Sequence, residues 1–270
     1  MLTSLCRFQS SVRNVACILG ALAWACGDSA GPPQGSTEWT MVQGDGVRLY
    51  HKSPDRTQAA SLLAVGEAAR RQIESFTGEA FADDFDLRIY PDREEFEAYW
   101  REVGFTPQCW MIARATRTGI EMLAPRAWAA DGCGHDGGNS TEVQRVMSHE
   151  AMHVYHARVN LLPEVNHVAG LKWLNEGVAV YSAQQLDASM RNQAAQFAAG
   201  DLAGVSLSSL GLTAVGYAVG GSIAEFIDQS FGRAALLHAL RAPSTTAVLD
   251  TLNISESRLL LSWKASVTGP

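Results

Sequence analysis

Residues 149–153 read H-E-x-x-H, and this pentapeptide constrains the local fold more than any other part of the chain. His149 and His153, four positions apart, lie on one face of an α-helix, so both imidazoles can reach one metal ion. Glu150 stands beside them, in position to take a proton from water on the metal. The pattern predicts a helix that carries a zinc-hydrolase type of site.

The flanking sequence supports a helix around the pentapeptide. Apolar residues recur at helical spacing over 143–155. Asn139, with Glu142 three residues later, resembles an N-terminal capping box. The helix is therefore predicted to begin shortly after Asn139.

A second apolar segment, 171–186, also has helical spacing and contains the sequence W-L-N-E-G at 173–177. A turn at 163–166 separates it from the first helix. Two antiparallel helices joined in this way would bring Glu176 beside the two His residues.

Together the two motifs resemble the gluzincin metallopeptidases, the peptidase MA-like group with a thermolysin-like catalytic core. The resemblance covers residues 86–240. It implies that His149, His153 and Glu176 bind Zn²⁺, and that Glu150 is the general base and later the proton donor. Three protein ligands leave a fourth position for water, as catalytic zinc sites require.

The resemblance extends loosely to 217–232, which is similar to the helix that follows the zinc site in gluzincin-like lipoproteins. It implies that Tyr217 faces the cleft and stabilises the oxyanion of the transition state. A core aromatic residue at the start of a helix is an equally open interpretation of Tyr217.

Other His residues give alternative ligands. A metzincin requires Gly and His three and six residues after His153, where this chain has His156 and Val159, so that class is excluded. His156 shares the ligand face, and we keep a metal or supporting role open for it beside a packed or solvated helix position. His167 is an alternative third ligand, although Glu176 fits the motif better.

At one position the chain differs from the gluzincin family that it resembles. In thermolysin-like relatives, a carboxylate four residues after the ligand Glu orients a zinc-binding His, but this chain has Val180 there. Asn175, Tyr181 or a backbone carbonyl are candidates for that role, and a half-buried helix position is the favoured interpretation of Tyr181. The departure leaves a second hypothesis open, a catalytically inactive envelope module that retains zinc and binds peptides or partner proteins.

Residues 1–25 have the pattern of an export signal, in which basic residues precede an apolar run that is too short to cross a bilayer. Small residues before Cys26 resemble a bacterial lipobox, which predicts a lipid anchor on Cys26 and a tether at 26–36. Ordinary cleavage and secretion is the alternative. The protein is expected in the bacterial cell envelope and in contact with the membrane only through this anchor.

Cys109 and Cys133 are the thiols that remain beyond the signal and anchor. An oxidising compartment would pair them, which stabilises the fold by roughly 3.5 kcal/mol in the chain-entropy model. Two separate buried thiols are the alternative.

The sequence predicts an α+β fold, with an N-terminal α+β lobe at 37–138 and a helical lobe at 139–270. A small antiparallel sheet belongs to the first lobe. The second has Ser244 and Ser255 as N-caps and Gly232 as a helix stop. The elements predicted in the first lobe are a hairpin at 39–42 and 47–51, helices over 62–76 and 92–100, a strand at 85–89, and a hairpin at 110–115 and 120–123.

Two segments are candidates for the cleft walls. By the resemblance, 120–123 is the edge strand above the zinc site and pairs with extended substrate. His135 and Asp136 precede the zinc helix, and a polar Gly-rich loop is favoured over a cleft role for them.

The net charge of −7 argues against a nucleic-acid partner. Arg114, Arg117 and Arg126 surround the second hairpin and are interpreted as a solvated face rather than an anion site. The favoured function is zinc-dependent hydrolysis of peptide bonds outside the cytoplasm, with a peptide or protein as substrate.

Overall fold

The computed structural model of the protein describes residues 38–102, 104, 106–160, 162, 165, 168–211 and 213–269. The predicted signal peptide, the anchor at Cys26, the tether and His167 lie outside these residues. Within them the architecture is α+β, as predicted, and the predicted lobes lie in one compact unit, Gly35–Pro270. None of the helices in this described part is both long and apolar enough to cross a bilayer.

A five-stranded sheet has the order β1-β2-β3-β5-β4. Both predicted hairpins are confirmed, since β1 pairs antiparallel with β2 and β4 pairs antiparallel with β5. The central strand β3 runs parallel to both β2 and β5, so the sheet is mixed and the prediction of an antiparallel sheet is wrong. A helix crosses over between β2 and β3, and such a connection favours parallel pairing. The strands are β1 (Thr40–Gln43), β2 (Val47–His51), β3 (Phe85–Tyr90), β4 (Ala113–Ala115) and β5 (Gly119–Leu123).

The edge strand beside the cleft is β4. The predicted edge, 120–123, belongs to β5, which has β3 on one side and β4 on the other. That prediction is wrong because the parallel pairing with β3 covers the outer side of β5. The short β4 is left at the border of the sheet.

The helices of the first half follow their apolar spacing. α1 (Ala59–Thr77) buries Leu62, Ala69 and Ile73, and it ends at Gly78 in the left-handed conformation, with φ 72°. α2 (Arg93–Glu102) begins after Asp92, whose carboxylate accepts a hydrogen bond from the backbone N–H of Glu95 at 2.9 Å. The two predicted helices are confirmed.

The second half is helical, as predicted. Ser244 and Ser255 accept N-cap hydrogen bonds, and Gly232 ends a helix with φ 88°. The helices are α3 (Pro125–Asp131), α4 (Ser140–Val159), α5 (Lys172–Ser182), α6 (Ala188–Ala199), α7 (Ala214–Phe231), α8 (Arg233–Ala239), α9 (Thr245–Thr251) and α10 (Glu256–Thr268).

The start of α4 is held by a cap and, nearby, by a disulfide. The Asn139 side chain accepts hydrogen bonds from the N–H groups of Thr141 and Glu142, which confirms the predicted cap. Glu142 does not reach back to Asn139 but contacts His135, so the reciprocal half of the capping box is absent from this part of the structure. A disulfide joins Cys109 to Cys133 and links the segment before β4 to the loop before α4.

α5 and α7 approach each other closely enough for backbone contact. A Cβ atom on Gly177 would overlap the carbonyl oxygen of Gly220, and one on Gly220 would lie 2.7 Å from the carbonyl oxygen of Trp173. Only glycine at these positions permits this approach. Gly177, the last residue of the W-L-N-E-G motif, therefore allows α7 to lie directly beside the preceding residue, Glu176.

A partly buried ion pair connects the two halves of the domain. Asp228 on α7 accepts hydrogen bonds from Arg233 on α8 and from the Tyr181 hydroxyl on α5 at 2.7 Å. Arg233 also donates to the carbonyl oxygen of Phe76 on α1 at 2.6 Å. The neighbouring guanidinium holds the pKa of Asp228 below its usual range.

We expect Gly177→Ala to destabilise the protein by about 1–3 kcal/mol, because the added methyl group forces α5 and α7 apart. Urea unfolding measures the change. Gly211→Ala is the matched control, since a Cβ there meets no atom within 4 Å. If the two variants are equally stable, the close approach of the helices does not limit the fold.

Candidate metal centre

Three side-chain donor atoms converge where α4 meets α5. The Nε2 atoms of His149 and His153 lie 3.0 Å apart, and Glu176 Oε2 lies 3.3 Å from the first and 3.2 Å from the second. These side chains are between 8% and 12% exposed. The helix periodicity of H-E-x-x-H and the position of Glu176 thus bring the three predicted ligands together.

Each imidazole directs its other nitrogen to a side-chain amide. His149 Nδ1 lies 2.8 Å from Gln185 Oε1, and His153 Nδ1 lies 3.2 Å from Asn175 Oδ1. A proton on each Nδ1, donated to these oxygens, would leave both Nε2 atoms with lone pairs for a metal ion. Two lone pairs 3.0 Å apart repel each other unless a cation lies between them.

The spacing of the donor atoms fits zinc. Two ligand atoms about 2.0–2.1 Å from Zn²⁺ at the tetrahedral angle lie about 3.3 Å apart. The three separations among His149, His153 and Glu176 are 3.0–3.3 Å. One carboxylate with two imidazoles is also a donor set found in catalytic zinc sites.

The partners that orient the imidazoles were predicted in part. Asn175 was a candidate, and it holds His153. Tyr181 was another candidate, but its hydroxyl donates to Asp228 instead. Gln185 was missed, because it follows the end of α5 and no helical spacing relates it to His149. The sequence offered one signal for this role, namely an amide residue shortly after the helix that contains Glu176 and Gly177.

Val180 occupies the position where the resembled family has a carboxylate. It is 1% exposed and packs against α7, where a Cβ on Gly221 would lie 2.7 Å from Val180 Cγ1. A charge at this position would be buried against the α7 backbone. Instead of a carboxylate at position 180, Gln185, which follows the end of α5, contacts His149.

His156 lies next to the three donor residues and contacts one of them, His153, through Asn175. It is 1% exposed, and its Nδ1 lies 2.7 Å from Asn175 Oδ1, the atom that also meets His153. Burial lowers the pKa of His156 to about 4, so this imidazole is neutral at pH 7. Of the roles left open for His156, the structure gives it a supporting contact through Asn175.

Glu150 is 9% exposed and lines the same cleft as the donor atoms. Burial raises the pKa of its carboxyl, while His153, His149 and a hydrogen bond from the backbone of Ala115 on β4 lower it in part. Ala115 belongs to the edge strand, so Glu150 lies between the edge strand and the metal ligands.

The ligands are electrostatically coupled. Burial alone would raise the pKa of Glu176, but His153 and His149 outweigh it and hold that pKa well below its usual range. Burial lowers the pKa of His153, but Glu176 and Glu150 outweigh it, so the net shift is upward. Glu176 is therefore held as the anion, the form in which a carboxylate binds a metal cation.

Tyr217 lies on the opposite wall, on the first turn of α7. Its ring centroid is 6.2 Å from that of His149. Burial raises the pKa of its hydroxyl, and Glu176 and Glu150 raise it further, with Glu176 also accepting its hydrogen bond. The hydroxyl is thus a protonated donor beside the metal ligands.

The remaining predicted wall residues divide between cleft and loop. His135 lines the cleft and contacts Glu142 at 2.8 Å, whereas the Asp136 carboxylate caps the N–H of Gly138 in the loop. The predicted basic cluster does not act as a unit. Arg126 pairs with the buried Asp55, Arg117 donates to the carbonyl oxygen of Arg158, and Arg114 lies over the ring of Trp100.

Comparison with models of known protein families finds no match, and a search among curated proteins also finds none.

We expect Gln185→Ala to weaken zinc binding about 10–100-fold, because His149 loses the acceptor that fixes its ring and tautomer. Competition with a chromophoric zinc chelator measures the affinity. Gln193→Ala, which removes another amide from the cleft wall, should leave the affinity unchanged. Equal zinc affinity of the Gln185→Ala variant and the wild type would contradict the assigned role of Gln185.

Proposed function

We propose that the protein is a zinc-dependent peptidase that hydrolyses peptide bonds with Glu150 as general base. The observation that carries the proposal is the convergence of His149, His153 and Glu176, with both imidazoles fixed by amides and Glu150 beside them. Zinc held there supplies a Lewis acid that polarises the scissile carbonyl and acidifies water.

Glu150 moves the proton in this proposal. Its carboxylate accepts a proton from the attacking water and delivers it to the amine that leaves. Ala115 holds the carboxylate from the side of the sheet. One group can serve both steps because it lies between the ligands and the strand beside which the substrate is expected.

The edge strand β4 is the surface along which the substrate would extend. In the described part of the chain, its hydrogen-bonded strand partner is β5 alone. An edge strand can pair with a peptide as an additional strand, which fixes the direction of the chain without reading its side chains. Ala113, Arg114 and Ala115 of β4 line the same cleft as Glu150.

Tyr217 is the proposed oxyanion donor. Its ring lies beside that of His149, and burial together with Glu176 raises the pKa of the hydroxyl, which therefore has the protonated form that donation requires. A donor beside the ligands stabilises charge that develops only in the transition state. The role proposed for Tyr217 is therefore to raise the rate of hydrolysis rather than to bind zinc.

The proposal includes an envelope location with a lipid anchor on Cys26. The disulfide between Cys109 and Cys133 supports an oxidising compartment, because cytosolic thiols are kept reduced. The sequence of the signal and of the residues before Cys26 supports export and lipidation.

We expect Glu150→Gln to retain zinc and to lose peptide hydrolysis by at least about 10²-fold, because the amide cannot accept the proton. Glu176→Ala should lose zinc and activity together. Zinc content and cleavage of a broad peptide library by the full chain are the measurements, with Glu94→Gln on the surface of α2 as control. Zinc without turnover in the wild type would favour the inactive binding module, and turnover in Glu150→Gln would refute the assigned base.

We expect Tyr217→Phe to retain zinc and to lower kcat by up to about 10²-fold, because the transition state loses a hydrogen-bond donor. KM should change little, since the substrate carbonyl carries little charge before attack. Steady-state kinetics on one cleaved peptide separates the two constants. An unchanged kcat would leave Tyr217 as a packing residue.

A further inference from the structure

The cleft that contains the metal ligands has a cationic wall. It has a volume of about 980 Å³ and is lined by Arg114, Arg145 and Lys172. Apart from Glu150 and Glu176, the carboxylate on its wall in the described part of the chain is Glu142, which contacts His135. Away from Glu150 and Glu176, the three cations thus outnumber the carboxylates, whereas the whole protein carries a net charge of −7.

Arg145 is the best-placed cation. It is half-buried on α4, one turn before His149 and on the same face of the helix. Within the described residues no carboxylate pairs with it, although other Arg side chains, such as Arg126 and Arg233, form ion pairs. A half-buried guanidinium facing a cleft is a binding group for a carboxylate.

Lys172 lies on the other side of the metal ligands. It precedes Glu176 by one turn of α5 and also lines the cleft. α4 and α5 run antiparallel here, because His149 contacts Gln185 after the end of α5 whereas His156 contacts Asn175 near its start. Arg145 and Lys172 therefore flank the ligands from opposite directions.

The spacing of Arg145 and Lys172 from the ligands suits contacts with substrate side chains near the bond that is cleaved. One helical turn of four residues advances about 6 Å, and an extended peptide advances about 3.3 Å per residue. The offset of one turn between each cation and the neighbouring ligand thus equals the length of about two residues of an extended peptide. Arg114 is less suited to this role because its guanidinium lies over the Trp100 ring, 5.8 Å from the centroid.

We infer that the cleft selects peptides with acidic side chains on both sides of the scissile bond, with Arg145 as the main determinant of specificity and Lys172 as the second. This inference rests on the proposed peptidase function. The acidic side chains pair with the two cations while the peptide backbone extends along β4.

The test compares blocked peptides that differ only by Glu or Gln at the two positions on each side of the cleaved bond. For the zinc-loaded full chain, we expect kcat/KM to favour Glu on the order of tenfold, the effect of one charge-assisted hydrogen bond at a half-buried site. The preference should fall to about twofold or less in Arg145→Gln and shrink in 1 M NaCl. Arg71→Gln, which removes an exposed Arg on α1, should retain the wild-type ratio.

Binding of the same peptides to the zinc-loaded Glu150→Gln variant, measured by fluorescence anisotropy, separates the two proposals. Tighter binding of Glu peptides with no cleavage by the wild type would refute the peptidase function and support the charge selectivity. Cleavage with equal kcat/KM for Glu and Gln peptides would overturn the selectivity alone. A preference that persists in Arg145→Gln would overturn the assignment to Arg145.

Discussion

Two imidazole nitrogens and one carboxylate directed at one point are the constraint on which the rest of this structure depends. The Nε2 atoms of His149 and His153 are 3.0 Å apart, with Glu176 completing the triangle. Bringing three polar side chains together in a largely buried place costs free energy, so the fold must hold α4 against α5. Burial of apolar side chains such as Trp173 and Leu174, each 1% exposed, supplies the free energy that keeps the helices together.

The side of the site that α7 forms depends on a glycine, because Gly177 has no side chain. Gly177 lets α7 contact the backbone of α5, and this brings Tyr217 to the ligands and Gly221 to Val180. The same packing removes the space for a carboxylate at position 180, so the partner of His149 has to come from elsewhere. The close contact between α5 and α7 thus accounts both for the position of Tyr217, the candidate oxyanion donor, and for Val180 at the position where the family that the sequence resembles has a carboxylate.

Local periodicity was sufficient to predict α1, α2, β3 and the two helices of the metal centre, because each pattern reports which face of its own element is buried. Parallel pairing of β3 with β2 and β5 depends on crossovers between distant segments, which periodicity does not encode. The edge strand was therefore misassigned. The ligands followed from helical spacing, whereas Gln185 lies beyond a helix end, where its direction is set by the tertiary fold.

Neutral amides, rather than carboxylates, orient both imidazoles, and this has an electrostatic consequence. Gln185 and Asn175 contact the two Nδ1 atoms without adding negative charge to the cleft. A divalent cation with one carboxylate ligand would then leave a net positive centre, which Glu150 offsets and to which Arg145 and Lys172 add. Charges separated by more than about 8 Å are largely screened at physiological salt, and the net charge of −7 of the whole protein does not attract an acidic peptide, so the two cations act on the peptide only once it lies in the cleft. The proposed selectivity should therefore act on dissociation of the bound peptide more than on the rate of encounter.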